Sequence, residues 1–303
     1  MQTLPKWLFK DAGDWRTLLL VVACQAMCIA LLFFDILPIW LTVICLAPIL
    51  TLYSSLQHEI IHGHPFKAQW MCDLLVIIPF GLLVPYFRFK DTHLAHHHDV
   101  NLCDPYEDPE TWYQAKEMWE KRSSISQAVF NFNNLLAGRM LLGPLIGMTG
   151  FIKCDFKAII AGNLHILIKW AFHILGVAAL LVLISAYGKM PIWAYFLAAY
   201  FAMSLLMVRT FLEHQAHEKV RGRSVIIENG GILAFMFLNN SYHAVHHAYP
   251  GYAWYRLPSL FFENRERFLK INKGYAYPTY RAIFKAYFFK RKEPVPFPDE
   301  PRR

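Results

Sequence analysis

The chain has 303 residues, of which 56% are hydrophobic and only 17% charged, and its formal net charge is +8 with 14 histidines counted as neutral. That composition excludes intrinsic disorder and points to a membrane, and six scattered cysteines with no CxxC spacing exclude a disulfide scaffold. A soluble chain of this length would hold about two domains; a single membrane-embedded domain over residues 1–303 is expected instead.

A spanning helix needs about 20 apolar residues, because about 30 Å of hydrocarbon is crossed at about 1.5 Å per residue. Residues 17–34 and 36–57 meet this and predict a helical hairpin turning near Asp35–Pro38. Residues 164–188 and 190–208 predict a second, turning near Tyr187–Pro191, with Trp40 and Trp193 as interfacial anchors. Between the hairpins, residues 74–87 are uncharged but interrupted by Pro79, Gly81 and Pro85. This stretch is too short and too poorly helical to cross, so it reads as re-entrant or interfacial, as does the weaker apolar patch 232–238. Residues 118–154 read as amphipathic connecting helices.

Of 30 Lys and Arg residues, only Lys189 falls in the two hairpin turns. Both turns are therefore expected outside, and both termini, with Lys6, Lys10 and Arg16 at the front, in the cytoplasm. The tail 256–303 holds 12 Lys/Arg against 5 Asp/Glu, so +7 of the formal +8. It reads as a solvated face near anionic headgroups; no nucleic-acid-binding module is visible. The N-terminal apolar run lacks a small-residue cleavage site and does not read as a signal peptide.

Three histidine clusters adjoin these segments. In Gln57-His58-Glu59-Ile60-Ile61-His62-Gly63-His64, His58 and His62 are four apart, one above the other on a helix face. Asp91-Thr92-His93-Leu94-Ala95-His96-His97-His98-Asp99 offers His93, His96 and His97, and Tyr242-His243-Ala244-Val245-His246-His247 repeats the HxxHH pattern. Imidazole suits iron, zinc, copper and nickel, and eight candidate ligands exceed the three or four of one zinc site, so two metals are expected. If residues 74–87 are re-entrant, all three clusters face the same side. Arg209-Thr210-Phe211-Leu212-Glu213-His214-Gln215-Ala216-His217 supplies a ninth candidate, His214 or His217. His64 and His98 adjoin the clusters as supporting residues or alternative ligands, and Glu59, Glu213 and Asp99 are candidates to orient imidazoles by accepting their free N–H. His165, Lys169 and His173 form a four-residue stripe. It is either a polar path or a snorkelling lysine with histidines satisfied inside the bundle.

HEIIH, HLAHH and HAVHH, in this order and placement, resemble the membrane fatty acid desaturase and hydroxylase superfamily, over most of the chain from the first span to about Pro258. The resemblance implies an all-α integral membrane fold: four spans in two hairpins with a cytoplasmic helical cap holding a di-iron site. The Glu213-His214 pair is similar to a motif of related alkane hydroxylases, which favours His214 over His217. The implied ligand set is His58, His62, His93, His96, His97, His214, His243, His246 and His247, with no catalytic side chain beyond them.

The implied chemistry is oxygen-dependent attack on an unactivated C–H bond of a lipid or acyl chain. Loss of a second hydrogen gives an alkene and hydroxyl rebound an alcohol. Electrons are expected from an external ferredoxin-like or cytochrome b5-like donor, since no GxGxxG, cysteine cluster or fused cytochrome b5 segment is visible. His243 opening the third box argues against front-end desaturases, and the HxxxH first box favours an acyl-lipid or bacterial-type enzyme. The expected location is a bacterial inner membrane, otherwise the endoplasmic reticulum, with the metal site cytoplasmic. Two other readings compete: a zinc protease built on His58-Glu59-x-x-His62, with Glu59 as general base, and a histidine-rich metal transporter.

Overall fold

The computed structural model describes residues 10–99 and 101–298. Lys6 and the last tail arginines, Arg302 and Arg303, which entered the charge argument, lie outside them. In chain order the helices are α1 (Trp15–Phe33), α2 (Ile39–Ile61), α3 (Gln69–Leu75), α4 (Tyr86–His98), α5 (Lys116–Glu120), α6 (Ser124–Asn133), α7 (Leu136–Ile160), α8 (Leu164–Tyr187), α9 (Ile192–Glu213), α10 (Gly231–Met236), α11 (His243–Ala248), α12 (Leu257–Glu263), α13 (Arg265–Ile271) and α14 (Tyr280–Tyr287). Two short strands, β1 (Ile226–Asn229) and β2 (Ala276–Thr279), are the departure from an all-helical expectation. They pair in parallel with Ile226 opposite Ala276 and Asn229 opposite Thr279. A four-residue strand whose partner lies some fifty residues away leaves almost no local periodicity to read.

Four helices, α1, α2, α8 and α9, are long and apolar enough to cross a bilayer, which marks an integral membrane protein. Two run further than their uncharged stretches. Helix α2 continues to Ile61 with His58, Glu59, Ile60 and Ile61 all buried. Helix α9 continues past Val208 to Glu213 because Arg209 and Glu213, one turn apart, form an ion pair of 2.8 Å that neutralises both charges. The apolar side chains Ile168, Leu175 and Val182 recur every seven residues along α8 and are all about two-thirds exposed. Such a face suits lipid.

The chain divides into two compact units, Met1–Lys90 with Leu145–Leu205, and Asp91–Pro144 with Leu206–Arg303. In the first unit, Val21, Cys24 and Leu32 of α1, Leu46, Tyr53 and Leu56 of α2, Ile184 of α8 and Tyr195 and Ala198 of α9 are fully buried. Residues 76–85, the centre of the segment expected to be re-entrant, form no long helix, yet Val76, Phe80 and Leu82 are buried. Irregular backbone away from water needs partners for its carbonyls. Each spanning helix supplies one donor to the segment that begins at the end of α3. Gln25 of α1 donates to the Leu75 carbonyl, Tyr53 of α2 to Ile78 at 2.7 Å, Tyr195 of α9 to Phe80 at 2.6 Å, and His173 of α8 pairs with Leu82 at 2.9 Å. His173 is thus satisfied inside the bundle.

In the second unit, α6 and α7 meet so closely that a Cβ on Gly138 would sit 1.8 Å from the Phe132 carbonyl oxygen, and only glycine fits there. A core of Ile226, Tyr242, Val245, Leu257, Phe261 and Phe268 holds α11 against β1, α12 and α13.

Replacing Tyr195 with Phe removes the side-chain donor to the buried Phe80 carbonyl. It is expected to cost about 1–3 kcal/mol, measured as a lowered unfolding midpoint in detergent, with no change in metal content.

Candidate metal centre

The second unit carries the densest histidine array. His93, His96 and His97 lie on α4, His214 directly follows α9, and His243, His246 and His247 occupy α11. Helix α11 is entered through Leu238 and Asn239 with φ of +47° and +56°, a reversal that asparagine tolerates. It is then pinned by the Ala244 N–H donating to the Val225 carbonyl at 3.0 Å and the Tyr242 hydroxyl donating to the Glu228 carbonyl at 2.8 Å.

Four imidazoles converge. The Nε2 atoms of His96 and His214 are 3.0 Å apart, those of His243 and His214 3.0 Å, and those of His247 and His243 3.1 Å; all four ligand atoms lie within 4.8 Å of one another. Nitrogens about 2.1 Å from a shared ion sit about 3.0 Å apart at a right angle and about 3.4 Å apart at the tetrahedral angle. The spacing therefore fits a metal ion with further positions left open. A second convergence joins His93, His97 and His246, whose ligand atoms also lie within 4.8 Å of one another, the Nε2 atoms of His97 and His246 being 3.0 Å apart. In the first unit His58 and His62, one turn apart, meet edge-to-face with ring centroids 5.0 Å apart, and Lys10 donates to the His62 carbonyl at 2.7 Å.

The partners of the opposite ring nitrogens decide which way the lone pairs point. His96 Nδ1 donates to Asp108 at 2.8 Å and His93 Nδ1 to Glu110 at 3.0 Å. An ionised carboxylate only accepts, so the proton is on Nδ1 and Nε2 is the ligand atom. Asp108 is itself fixed by the backbone N–H groups of Cys103 at 2.8 Å and Glu110 at 2.9 Å. His243 Nδ1 donates to Asn240 Oδ1 at 3.1 Å, the Asn240 amide donates to Glu213 at 2.6 Å, and Arg209 holds the same Glu213 oxygen at 2.8 Å. Ser224 stands 3.4 Å from His214 Nδ1.

The other sequence candidates are placed elsewhere or act at one remove. Glu213 reaches His243 through Asn240. Asp99 accepts the Asn101 N–H at 2.7 Å, an Asx turn. His98 is exposed, its Nδ1 2.6 Å from the Leu94 carbonyl. His64 pairs with the buried Asp14 at 2.9 Å, and Glu59 is buried within α2. The His217 ring nitrogen accepts the Lys219 N–H at 2.9 Å, and His217 is outside the converging set that His214 joins. Asp108, Glu110 and Asn240 were missed. The only signal for the first two was an acidic pair two residues apart in a turn-rich loop, Asp108 lying 12 residues after His96 and Glu110 lying 17 after His93.

A model of the fatty acid desaturase family matches residues 12–279. This chain belongs to that family. Comparison with curated proteins finds no match. Membership makes the chain a desaturase-type oxidoreductase, of the family known as di-iron enzymes, and the imidazole sets supply donors such metals accept.

Burial drives His97, His214, His243 and His247 toward the neutral form. His97 is pushed down to about 3 by burial and by the neighbouring His93 and His96; His243 and His247 are lowered in the same way, by burial and then by histidine neighbours. His96 differs: burial opposes its charge, but Glu110 and Asp108 outweigh that and lift it to about 9. Burial works to raise Glu110, yet His93 and His96 hold it well below the usual carboxylate range.

Without metal, His96 therefore carries a second proton at neutral pH, on the nitrogen a metal needs. Metal uptake at pH 7.5 is expected to release that proton, and affinity to rise about tenfold per pH unit up to about pH 9. Calorimetry in two buffers of different ionisation enthalpy checks this; uptake without proton release contradicts it. Replacing Asp108 with Asn is expected to weaken metal binding about 10–100-fold, read by titration of the chelated protein.

Proposed function

We propose that this chain uses O2 and external electrons to desaturate an acyl chain of a lipid or fatty acid at two irons. The observation that carries the reading is the convergence of four Nε2 atoms, three of whose opposite nitrogens rest on a carboxylate, an amide or a hydroxyl group. In this reading His96, His214, His243 and His247 hold one ion. His93, His97 and His246 hold the other, and His58 and His62 remain the first box's contribution to the nine-ligand set that the resemblance implies. When bound, a reduced iron pair supplies the oxygen chemistry that an unactivated C–H bond requires. The chain's own part is to hold neutral imidazoles: Asp108 and Glu110 keep protons on the Nδ1 atoms, and the Arg209–Glu213–Asn240 relay does the same for His243. The acyl chain would be held out of water, with one methylene presented to the metals.

The proposed topology is two hairpins, α1 with α2 and α8 with α9, a re-entrant or interfacial segment over residues 74–87, and a cytoplasmic cap. The membrane is a bacterial inner membrane or the endoplasmic reticulum. The electron donor is ferredoxin-like or cytochrome b5-like. Hydroxylation is the second reading, favoured by the Glu213-His214 pair.

Expression in a lipid-producing host, followed by mass spectrometry of its lipids, tests the proposal. A species two hydrogens lighter, lost in His96→Ala and His247→Ala, is expected. A species one oxygen heavier would assign the hydroxylase instead. Product that persists in both variants would overturn the metal-site reading.

A further inference from the structure

The segment Lys292–Phe297 lies beyond the family match, which ends at residue 279, and in the sequence it is only part of a basic tail. In the second unit it is built into the structure. Lys292, with a side chain 7% exposed, pairs with Glu293 at 2.8 Å. Its ammonium also donates to the carbonyls of His214 at 2.5 Å and Phe211 at 3.2 Å and to the Tyr275 hydroxyl at 3.3 Å. Tyr275 in turn donates to the Leu212 carbonyl at 2.7 Å. The last carbonyls of a helix have no partner within it, and a lysine at that end satisfies them and opposes the dipole. Here Lys292 and Tyr275 cap the carbonyls of Phe211, Leu212 and His214, and the last of them belongs to a residue of the four-histidine set.

The remainder of the segment closes the same region. Glu293 stands 3.4 Å from the Ala216 N–H, which also donates to the Tyr113 hydroxyl at 2.6 Å. The Val295 carbonyl accepts the Gln114 N–H at 3.1 Å, and the Phe297 N–H donates to the Gln114 carbonyl at 2.9 Å. Phe297 packs edge-on against Tyr113 with centroids 5.2 Å apart, and the Arg223 guanidinium lies over the Phe297 ring at 5.6 Å. Residues on both flanks of His214 are thus tied to one strap.

We propose that Lys292–Phe297 is a strap that positions His214 as a metal ligand, with Lys292 as the positioning residue. The inference rests on the reading that His96, His214, His243 and His247 hold an ion. Glu293 balances the Lys292 charge, so the strap acts through geometry. Loss of the ammonium releases the His214 backbone, leaves the Phe211 and His214 carbonyls without that donor and removes the charge paired with Glu293.

The test uses the full chain in detergent, stripped with chelator and titrated with cobalt(II), whose absorption bands report each site. The wild type is expected to bind two cobalt ions. K292M is expected to bind one as the wild type does and the other at least tenfold more weakly, while K292R restores the second. F297A, at the far end of the strap, keeps the inference testable if K292M does not fold, and is expected to weaken the same site to a smaller extent. Equal weakening of both sites would show a merely structural role and overturn the inference, as would two wild-type affinities in K292M and F297A. A wild type that binds no cobalt overturns the metal-site reading itself, and the strap's role with it.

Discussion

Four imidazoles can share an ion only if every Nε2 presents a lone pair to one point, and an imidazole does so only when its proton is held on the other nitrogen. That constraint organises the second unit. Asp108 imposes it on His96 from a loop, Glu110 imposes it on His93, and Asn240, backed by Glu213 and Arg209, imposes it on His243. The charges are spent in pairs: Arg209 neutralises the carboxylate behind His243, and His96 itself offsets Asp108 when no metal is bound. Buried charge of this kind is tolerated because each group has an opposite charge beside it.

The first unit meets a different demand with a similar device. Four apolar helices surround a segment broken by Pro79, Gly81 and Pro85, whose carbonyls cannot pair along a helix. One polar side chain from each helix, Gln25, Tyr53, His173 and Tyr195, reaches it. A predominantly apolar bundle thus places these four side chains where backbone would otherwise be stranded.

Long uncharged runs and the HxxxH and HxxHH spacings are local signals, and they are strong because helix periodicity places their side chains on one face. The four spanning helices, the shortness of the Pro/Gly-broken segment and the three histidine clusters were therefore legible in the chain. The extension of α9 was less so, since it depends on Arg209 and Glu213 cancelling each other. Asp108 and Glu110 were invisible because a loop carboxylate finds its histidine through tertiary approach, with no fixed spacing to mark it. Asn240 lay inside the third cluster's own flank, yet its role depends on Glu213, twenty-seven residues earlier. Asp99 shows the converse: adjacency in sequence made it a candidate, but it closes a turn.

All of this turns on whether the converging imidazoles hold iron. Mössbauer spectroscopy of protein expressed with iron-57 and purified in detergent measures that directly. Two irons per chain, magnetically coupled and with nitrogen-rich ligation, are expected. A single metal per chain, or purified protein carrying zinc and no iron while it still makes product, would contradict it.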